Sequence, residues 1–178
     1  GCGRVHLDLR VAVANSEPDT ARLEAGGHVW RVRPAGAEDL PAIEELVALV
    51  DGDGEDLQES QFVVVEDEAG SILGCARLRP YRGFRELASV AVRDGRRARG
   101  VGWEMVTTLS GRYQGPLYLV CEDREVGFFR RFGFVLIAPE DAPPGLAPKW
   151  RRYTAQIGRI NVMRRDAPER RCDGAPAS

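Results

Sequence analysis

Histidine is scarce in this sequence, and long apolar runs are missing. Only His6 and His28 occur among 178 residues, which leaves little material for a histidine-based metal site or for Ser-His-Asp chemistry. No apolar stretch reaches the roughly 20 residues that a transmembrane helix needs, and the amino terminus lacks a signal-peptide pattern. These absences argue against a bound metal, a membrane partner and a secreted protein.

A strong net charge and a metal-type cysteine spacing are also missing. The formal net charge is −2 at pH 7, so no global basic field attracts nucleic acid. The four cysteines, at positions 2, 75, 121 and 172, show neither CxxC nor Cys/His spacing, and a reduced cytoplasmic protein is the simplest interpretation. Basic residues nevertheless concentrate in one stretch, which predicts an anionic ligand of limited size and contains Arg93, Arg96, Arg97 and Arg99.

The predicted elements follow a mixed α/β order. Residues 4–13 alternate apolar and polar side chains, as a half-buried strand does, and residues 14–27 have the composition of a linker. From His28 the patterns predict, in order, a short strand stopping at Pro34, a helix over 38–50, strands over 62–65, 72–78 and 87–92, a helix over 100–109, a strand over 117–121, a helix over 124–131 and a strand over 134–137. A proline-rich loop over 139–148, a last strand within 150–163 and a disordered end over 164–178 follow.

The most informative segment joins a strand to a helix through a basic loop that contains glycine. A buried strand ends at Val92, and Arg97-Ala98-Arg99-Gly100-Val101-Gly102 leads directly into the next helix. Unpaired N–H groups and the dipole at a helix start favour an anion, and glycines let the backbone approach a phosphate closely. Neither GxxxxGK(S/T) nor GxGxxG is present. RNA is disfavoured as the ligand because no aromatic platform accompanies the arginines.

This segment resembles the acetyl-CoA motif of GNAT acetyltransferases. The first block is Val90-Ala91-Val92 followed by Arg97-x-x-Gly100-x-Gly102, and the second is the apolar strand over 117–121 followed by Phe128-Phe129-Arg-Arg-Phe132-Gly133-Phe134. The resemblance covers residues 28–153, which leaves 1–27 as an extension with one extra strand and a linker, and 154–178 as a last strand and tail. It implies the GNAT fold, with a central mixed, mostly antiparallel sheet that is splayed at its two central parallel strands and flanked by helices.

The resemblance also implies acetyl-CoA as the cosubstrate, and it implies a set of residues that bind it. That set contains Val90, Ala91, Val92, Arg97, Ala98, Arg99, Gly100, Val101, Gly102 and Phe128. An amine attacks the acetyl group directly in this family, so Cys121 is interpreted as a core residue. Glu86 is interpreted as the general base, sharing a strand face with Val92 if the pairing is regular. The alternative is an ordinary solvated glutamate at the start of a strand.

The leaving thiolate and the acceptor are less well defined by the sequence. Phe129 stands where many family members have a tyrosine that protonates the thiolate, which leaves water, Tyr81 or Tyr118. The pattern is most similar to N-acetylglutamate synthase-like members, for which an acidic acceptor gripped by basic side chains is implied; the candidates are Arg77, Arg79 and Arg82. The short acidic segment over 51–61 instead favours a cationic amine.

Several functions therefore stay open. The first is an acetyl-CoA-dependent N-acetyltransferase that modifies the primary amine of a small, amino acid-like molecule. The second is a GNAT-fold module that binds acyl-CoA or regulates a partner with little turnover, and an acetyltransferase acting on a protein amine is a further alternative. The third is an interaction protein, in which the strand over 4–13 pairs at a sheet edge and forms a homodimer.

Overall fold

The computed structural model describes residues 21–25, 28–50, 52, 54–93 and 100–167. These residues form two units. The first unit contains the described residues up to Tyr81 together with Glu86–Arg112, and the second contains Arg82–Arg85 and the described residues from Tyr113 onward. In the described part of the chain, no helix is both long and apolar enough to cross a bilayer.

The first unit is a sheet with one helix on each face. Its elements are β1 (Ala21–Ala25), β2 (His28–Pro34), α1 (Leu40–Leu49), β3 (Phe62–Asp67), β4 (Ile72–Tyr81), most of β5 (Phe84–Val92) and α2 (Val101–Gly111). The strands follow one another in the order β1-β2-β3-β4-β5. The pairs β1–β2, β2–β3 and β3–β4 are antiparallel.

The two faces of this sheet have separate apolar cores. On one face α1 packs with strand residues in a cluster that contains Ile43, Leu46, Val47, Phe62, Val64, Cys75 and Ala91. The side chains of α2 that were predicted to share a face are all buried, namely Val101, Met105, Val106 and Leu109. The sheet is therefore covered on both sides, as the near-continuous burial of β3 and β4 requires.

The second unit is smaller and holds the end of the chain. It contains β6 (Leu117–Cys121), α3 (Asp123–Arg130), β7 (Val135–Ile137), α4 (Ala147–Ile157) and β8 (Asn161–Arg165), and β8 pairs antiparallel with both β6 and β7. The first residues of β5 belong to this unit. Arg85 N–H donates to Pro116 C=O at 3.2 Å, so the beginnings of β5 and β6 lie side by side, as in parallel neighbours.

The predicted helices and strands between His28 and Ile137 are confirmed, with small differences at their ends. Three predictions were wrong. Residues 21–25, interpreted as linker, form β1 and pair with β2. The segment predicted as a last strand from residue 150 is mostly α4, because Pro148 occupies the first turn of that helix, where a missing N–H costs nothing. Arg164 and Arg165, placed in a disordered end, belong to β8. The predicted strand over 4–13 and the tail over 168–178 lie outside the described residues.

An ion network ties β2, β3 and the approach to α1 together. Arg33 donates to both carboxylate oxygens of Asp39, at 2.6 and 2.9 Å, and to Glu66 at 2.7 Å. Arg31 binds the other oxygen of Glu66. The hydrogen bonds from Arg33 lower the pKa of Asp39 against the opposing effect of burial. Burial also opposes ionisation of Glu66, but hydrogen bonds from Arg31 and Arg33 outweigh it and lower the pKa of that carboxyl.

Lowering the pH is expected to break the ion pairs of this network, because the carboxylates become protonated. A carboxyl whose pKa is lowered in the folded state stabilises the fold above its unfolded pKa, and this contribution is lost as pH falls through the lowered pKa. We expect Asp39→Asn to reduce the free energy of unfolding by about 2 kcal/mol at pH 7 and by much less at pH 3. Urea unfolding at the two pH values measures the difference. The exposed Asp141→Asn is the matched control, and an equal loss for Asp39→Asn at both pH values contradicts the ion network.

Candidate active site

The carboxyl end of β5 packs tightly against β4 and α2. A Cβ added at Gly74 would lie 2.8 Å from Ala91 O and 3.1 Å from Met105 Cε, which is too close for any other residue without a shift of the backbone. Cys75, the next residue of β4, has its Sγ 3.7 Å from Ser89 O. The missing Cβ at position 74 therefore allows β4 to lie this close to the Ala91 carbonyl oxygen and to Met105 of α2.

Strand β5 contains one more residue than regular pairing allows. Cys75 and Tyr81 lie on one face of β4, because their positions differ by an even number. Tyr81 donates a hydrogen bond to Glu86, while Ala91 packs in the same core cluster as Cys75. Glu86 and Ala91 therefore share this face although they are an odd number of residues apart. Ser89, with φ of +50°, lies between them as the extra residue of a β-bulge.

The bulge overturns one prediction about Glu86. Regular pairing of β5 would place Glu86 and Val92 on one face of the sheet. The extra residue at Ser89 reverses the alternation, so Val90 and Val92 lie on the face opposite Glu86. Val90 and Val92 are partly exposed, while Ala91 between them is buried. The bulge therefore separates the strand end from the face that carries the carboxylate.

The start of α2 has the geometry of an anion site. Gly100 precedes the helix in the left-handed region, with φ of +80° and ψ of 2°, where glycine is unstrained. The first helical hydrogen bond runs from Glu104 N–H to Gly100 C=O at 3.1 Å, so the N–H groups of Val101 and Gly102 have no acceptor within the helix. Glu104 lies in the first turn of this helix, and burial raises the pKa of its carboxyl. Arg97, Ala98 and Arg99 lie outside the described residues.

Arg93 is the member of the basic cluster that the structure describes, and it contacts the chain. Its Nε donates to Ile72 C=O at 2.9 Å, and its Nη1 and Nη2 donate to the Glu45 carboxylate at 3.0 and 3.3 Å. The guanidinium thereby joins the end of β5 to α1. Of the cluster predicted to bind an anion, Arg93 thus has a structural role.

Glu86 is fully buried on the α1 face of β5. Its exposed fraction is 0%, which excludes the alternative of an ordinary solvated glutamate. The Tyr81 hydroxyl donates to Glu86 Oε2 at 3.1 Å, and the Arg79 guanidinium lies 5.8 Å from the centroid of the Tyr81 ring. A carboxylate, a phenol and a cation thus meet at the end of the β4–β5 hairpin.

Arg77 is buried and donates hydrogen bonds to other residues of the protein. Its side chain is 0% exposed, and its Nη1 donates to Glu55 C=O at 3.0 Å while its Nε donates to Gln61 Oε1 at 2.7 Å. It also binds Asp56 C=O, and its guanidinium lies 5.6 Å from the centroid of the Phe62 ring. Of the three arginines predicted to grip an acidic acceptor, Arg77 holds the segment over 55–61 in place, while Arg79 is half-buried and Arg82 is exposed.

The residues around Arg77, Glu86 and the start of α2 lie in a segment that matches a known protein family. Residues 58–136 match the family model for the acetyltransferase (GNAT) domain. This stretch of the chain is therefore similar to a GNAT acetyltransferase domain. That match runs from the segment held by Arg77, through Glu86 and the start of α2, to β7. No curated protein sequence matches the chain.

Solved structures share the GNAT fold. N-acetylglutamate synthase from Neisseria gonorrhoeae, solved with coenzyme A and N-acetyl-glutamate, aligns with a TM-score of 0.64 at 18% identity over 79% of this chain and 35% of its own. A Mycobacterium tuberculosis protein solved with CoA aligns at 0.65 and 21% identity, over 77% and 99%. A GNAT phosphinothricin acetyltransferase from Sinorhizobium meliloti, solved with AcCoA, aligns at 0.55 and 20% identity, over 82% and 92%. The chain thus spans about a third of the Neisseria synthase, and the predicted fold class is confirmed.

The second unit carries the double phenylalanine. Phe129 is buried and meets Phe128 and Phe134 edge-on, with ring centroids 5.1 and 6.2 Å apart. Phe128 is half-buried and also meets Phe132 edge-on at 5.1 Å. Phe129 is thus a packing residue. Tyr118, considered for protonation of the thiolate, is likewise buried, with its ring 5.2 Å from that of Phe84.

Cys121 has the surroundings of a core residue. Its exposed fraction is 4%, and its Sγ lies 3.7 Å from Met163 Sδ. Burial, together with the nearby carboxylates of Glu125, Asp123 and Glu122, raises the pKa of the thiol to about 12. A thiol that holds its proton at neutral pH is a poor nucleophile. This agrees with the interpretation of Cys121 as a core residue.

Sequence reasoning missed the contact between Tyr81 and Glu86. The signal for it is the hairpin turn, because β4 ends at Tyr81 and β5 begins at Phe84, which leaves only Arg82 and Gly83 between them. A hairpin with a two-residue loop places Tyr81 and Glu86 on one face of the sheet, within diagonal reach. The bulge at Ser89 had no comparable signal, because a serine at an extended position is unremarkable in sequence.

Proposed function

We propose that this protein is an acetyl-CoA-dependent N-acetyltransferase that acetylates the primary amine of a small, amino acid-like molecule. The observation that carries the proposal is the buried Glu86 carboxylate, hydrogen-bonded by Tyr81, on the strand that leads to the start of α2. A buried carboxylate that accepts a hydrogen bond from a phenol has the surroundings of a general base. The GNAT match supplies the class of reaction.

The cosubstrate is assigned to the strand end and the helix start. The backbone at Val90, Ala91 and Val92 binds the pantetheine arm in this proposal, as an added strand would. The N–H groups of Val101 and Gly102 bind the pyrophosphate, with charge from Arg97 and Arg99. The left-handed Gly100 supports this assignment, because it has no Cβ to keep a ligand away from the helix start. Phe128 is retained as a cosubstrate residue from the family resemblance alone.

The proposed reaction balances without a covalent enzyme intermediate. Glu86 accepts a proton from the acceptor ammonium, which frees the nitrogen lone pair. The nitrogen then forms a bond to the acetyl carbon, and a backbone N–H near the bulge stabilises the negative charge that develops on the carbonyl oxygen. The C–S bond breaks, the nitrogen loses a second proton, and the thiolate takes up one proton. The products are an acetamide, CoA as a thiol and one released proton.

The proposed acceptor carries a carboxylate beside its amine. Arg79 supports this choice, because its guanidinium lies over the Tyr81 ring beside the Glu86 site, whereas Arg77 is engaged with the chain. The Neisseria synthase was solved with N-acetyl-glutamate, which is a product of this class. A cytoplasmic location and a domain limited to residues 28–153 stay predictions from the sequence.

Titration calorimetry of desulfo-CoA tests the cosubstrate site. We expect micromolar binding by the wild-type chain, and we expect Arg97→Ala to weaken it about 10- to 100-fold, because a guanidinium–phosphate hydrogen bond is charge-assisted. Arg159→Ala is the matched control, since Arg159 is 80% exposed and makes only a 3.6 Å surface ion pair with Asp123. Absence of binding at millimolar desulfo-CoA contradicts the proposed function.

A second candidate function is supported by Phe129. With a packed phenylalanine where many family members have a tyrosine, the domain lacks a phenol acid at that position. A module that binds acyl-CoA and does not turn it over fits this feature. A thiol-release assay across a panel of acidic, neutral and basic amino acids separates the two functions, because the module binds desulfo-CoA and releases no thiol.

A further inference from the structure

The proposed base has no direct path to an acceptor in this structure. The Glu86 side chain is 0% exposed, whereas the residue that donates to it, Tyr81, is only half-buried. Tyr81 therefore joins the enclosed carboxylate to a side chain that is partly exposed. A base enclosed in this way requires a group that carries the proton to it.

We propose that the Tyr81 hydroxyl relays the proton of the acceptor amine to Glu86. This inference rests on the proposed function and assigns a further residue to it. In the relay, the ammonium N–H bond breaks as its proton binds Tyr81 Oη, and the Tyr81 O–H bond breaks as its own proton binds Glu86 Oε2, 3.1 Å away. The step leaves a neutral amine, an intact phenol and a protonated Glu86, so no further reactant is required.

Arg79 makes the phenol suitable for this role. Its guanidinium lies 5.8 Å from the centroid of the Tyr81 ring, and a cation near an aromatic ring stabilises negative charge that develops on that ring. The phenol oxygen carries such charge while the two protons move. The same cation also favours an acceptor whose carboxylate approaches the hairpin from the side of Arg79.

The direction of the Tyr81–Glu86 hydrogen bond distinguishes this role from protonation of the thiolate. A phenol whose proton is directed at a carboxylate is arranged to give that proton to the carboxylate and to accept another one from the amine. Protonation of the thiolate would need the same proton to be directed away from Glu86. The geometry therefore assigns Tyr81 to the step that activates the amine.

Kinetics of Tyr81→Phe test the relay. With the best acceptor from the amino acid panel, we expect kcat to fall about 10- to 100-fold, with the KM for acetyl-CoA and the Kd for desulfo-CoA unchanged. Tyr113→Phe is the matched control, because Tyr113 is also half-buried and has an arginine, Arg85, 5.2 Å from its ring centroid. We expect this control to retain wild-type kcat.

A double variant shows whether the two residues act as one unit. In a relay, the phenol has no function once the carboxylate is removed, so we expect Tyr81→Phe with Glu86→Gln to be no slower than Glu86→Gln alone. Wild-type kcat in Tyr81→Phe, or independent multiplication of the two effects, overturns the relay and leaves the proposed function standing. A wild-type chain that binds desulfo-CoA and acetylates no amine overturns both.

Discussion

Replacing Glu86 by glutamine is expected to lower kcat by about 100- to 10,000-fold, the range that a positioned general base contributes. The amide has nearly the volume of the carboxylate and still accepts the Tyr81 hydrogen bond, but it does not take up a proton at neutral pH. The KM for acetyl-CoA is expected to stay unchanged, because Glu86 lies on the face of β5 opposite Val90 and Val92. Steady-state thiol release with the best acceptor measures both constants.

The controls for this variant separate chemistry from folding. Glu140→Gln makes the same chemical change at an exposed position, and we expect wild-type kcat from it. The melting temperature of Glu86→Gln is expected to stay close to that of the wild type, because the amide has nearly the same volume and still accepts the Tyr81 hydrogen bond. Wild-type kcat in Glu86→Gln across the pH range would remove Glu86 from the mechanism.

Replacing Arg77 by alanine is expected to cost about 3 kcal/mol of folding free energy, which corresponds to a loss of about 6–12 °C in melting temperature for a chain of this size. The guanidinium binds the carbonyl oxygens of Glu55 and Asp56 and the side chain of Gln61. Without it, these acceptors lose their donor and the stacking on Phe62 is lost as well. Differential scanning calorimetry measures the change.

The loss of stability in Arg77→Ala should also be visible locally, in the segment over 55–61. Hydrogen exchange in Arg77→Ala is expected to rise first in this segment, because Arg77 supplies hydrogen bonds to three of its residues. Arg82→Ala is the control, since Arg82 is exposed in the β4–β5 turn. An unchanged melting temperature in Arg77→Ala would mean that the segment is held by other contacts.

The fold was predictable because each main element has a local signal. Helix α1 has apolar residues at helical spacing with Pro41 in its first turn, and α2 follows a glycine that suits the left-handed position before it. The order of strand, loop and helix predicted a cosubstrate loop before α2, and that role is part of the proposed function. Its arginines at 97 and 99 remain predictions, because they lie outside the described residues.

What failed depended on contacts between different elements, which the pattern within one element does not show. Strand β1 follows a run of turn-forming residues and becomes a strand through pairing with β2. The burial of Glu86 and Arg77 likewise could not be read from their neighbours, because a charged residue in a strand usually faces solvent. Each of these two side chains is buried together with partners on other elements.

The extra residue at Ser89 also governs which changes of chain length the protein tolerates. Deleting any one residue between Ser89 and Val92 would exchange the two faces of the strand beyond the deletion, and Ala91 would leave the core. An insertion in the same stretch would do the same. The exposed turn at Arg82 and Gly83, which has φ of +86° at the glycine, changes length without altering that alternation. Libraries that vary the length of β5 should therefore yield mostly inactive chains.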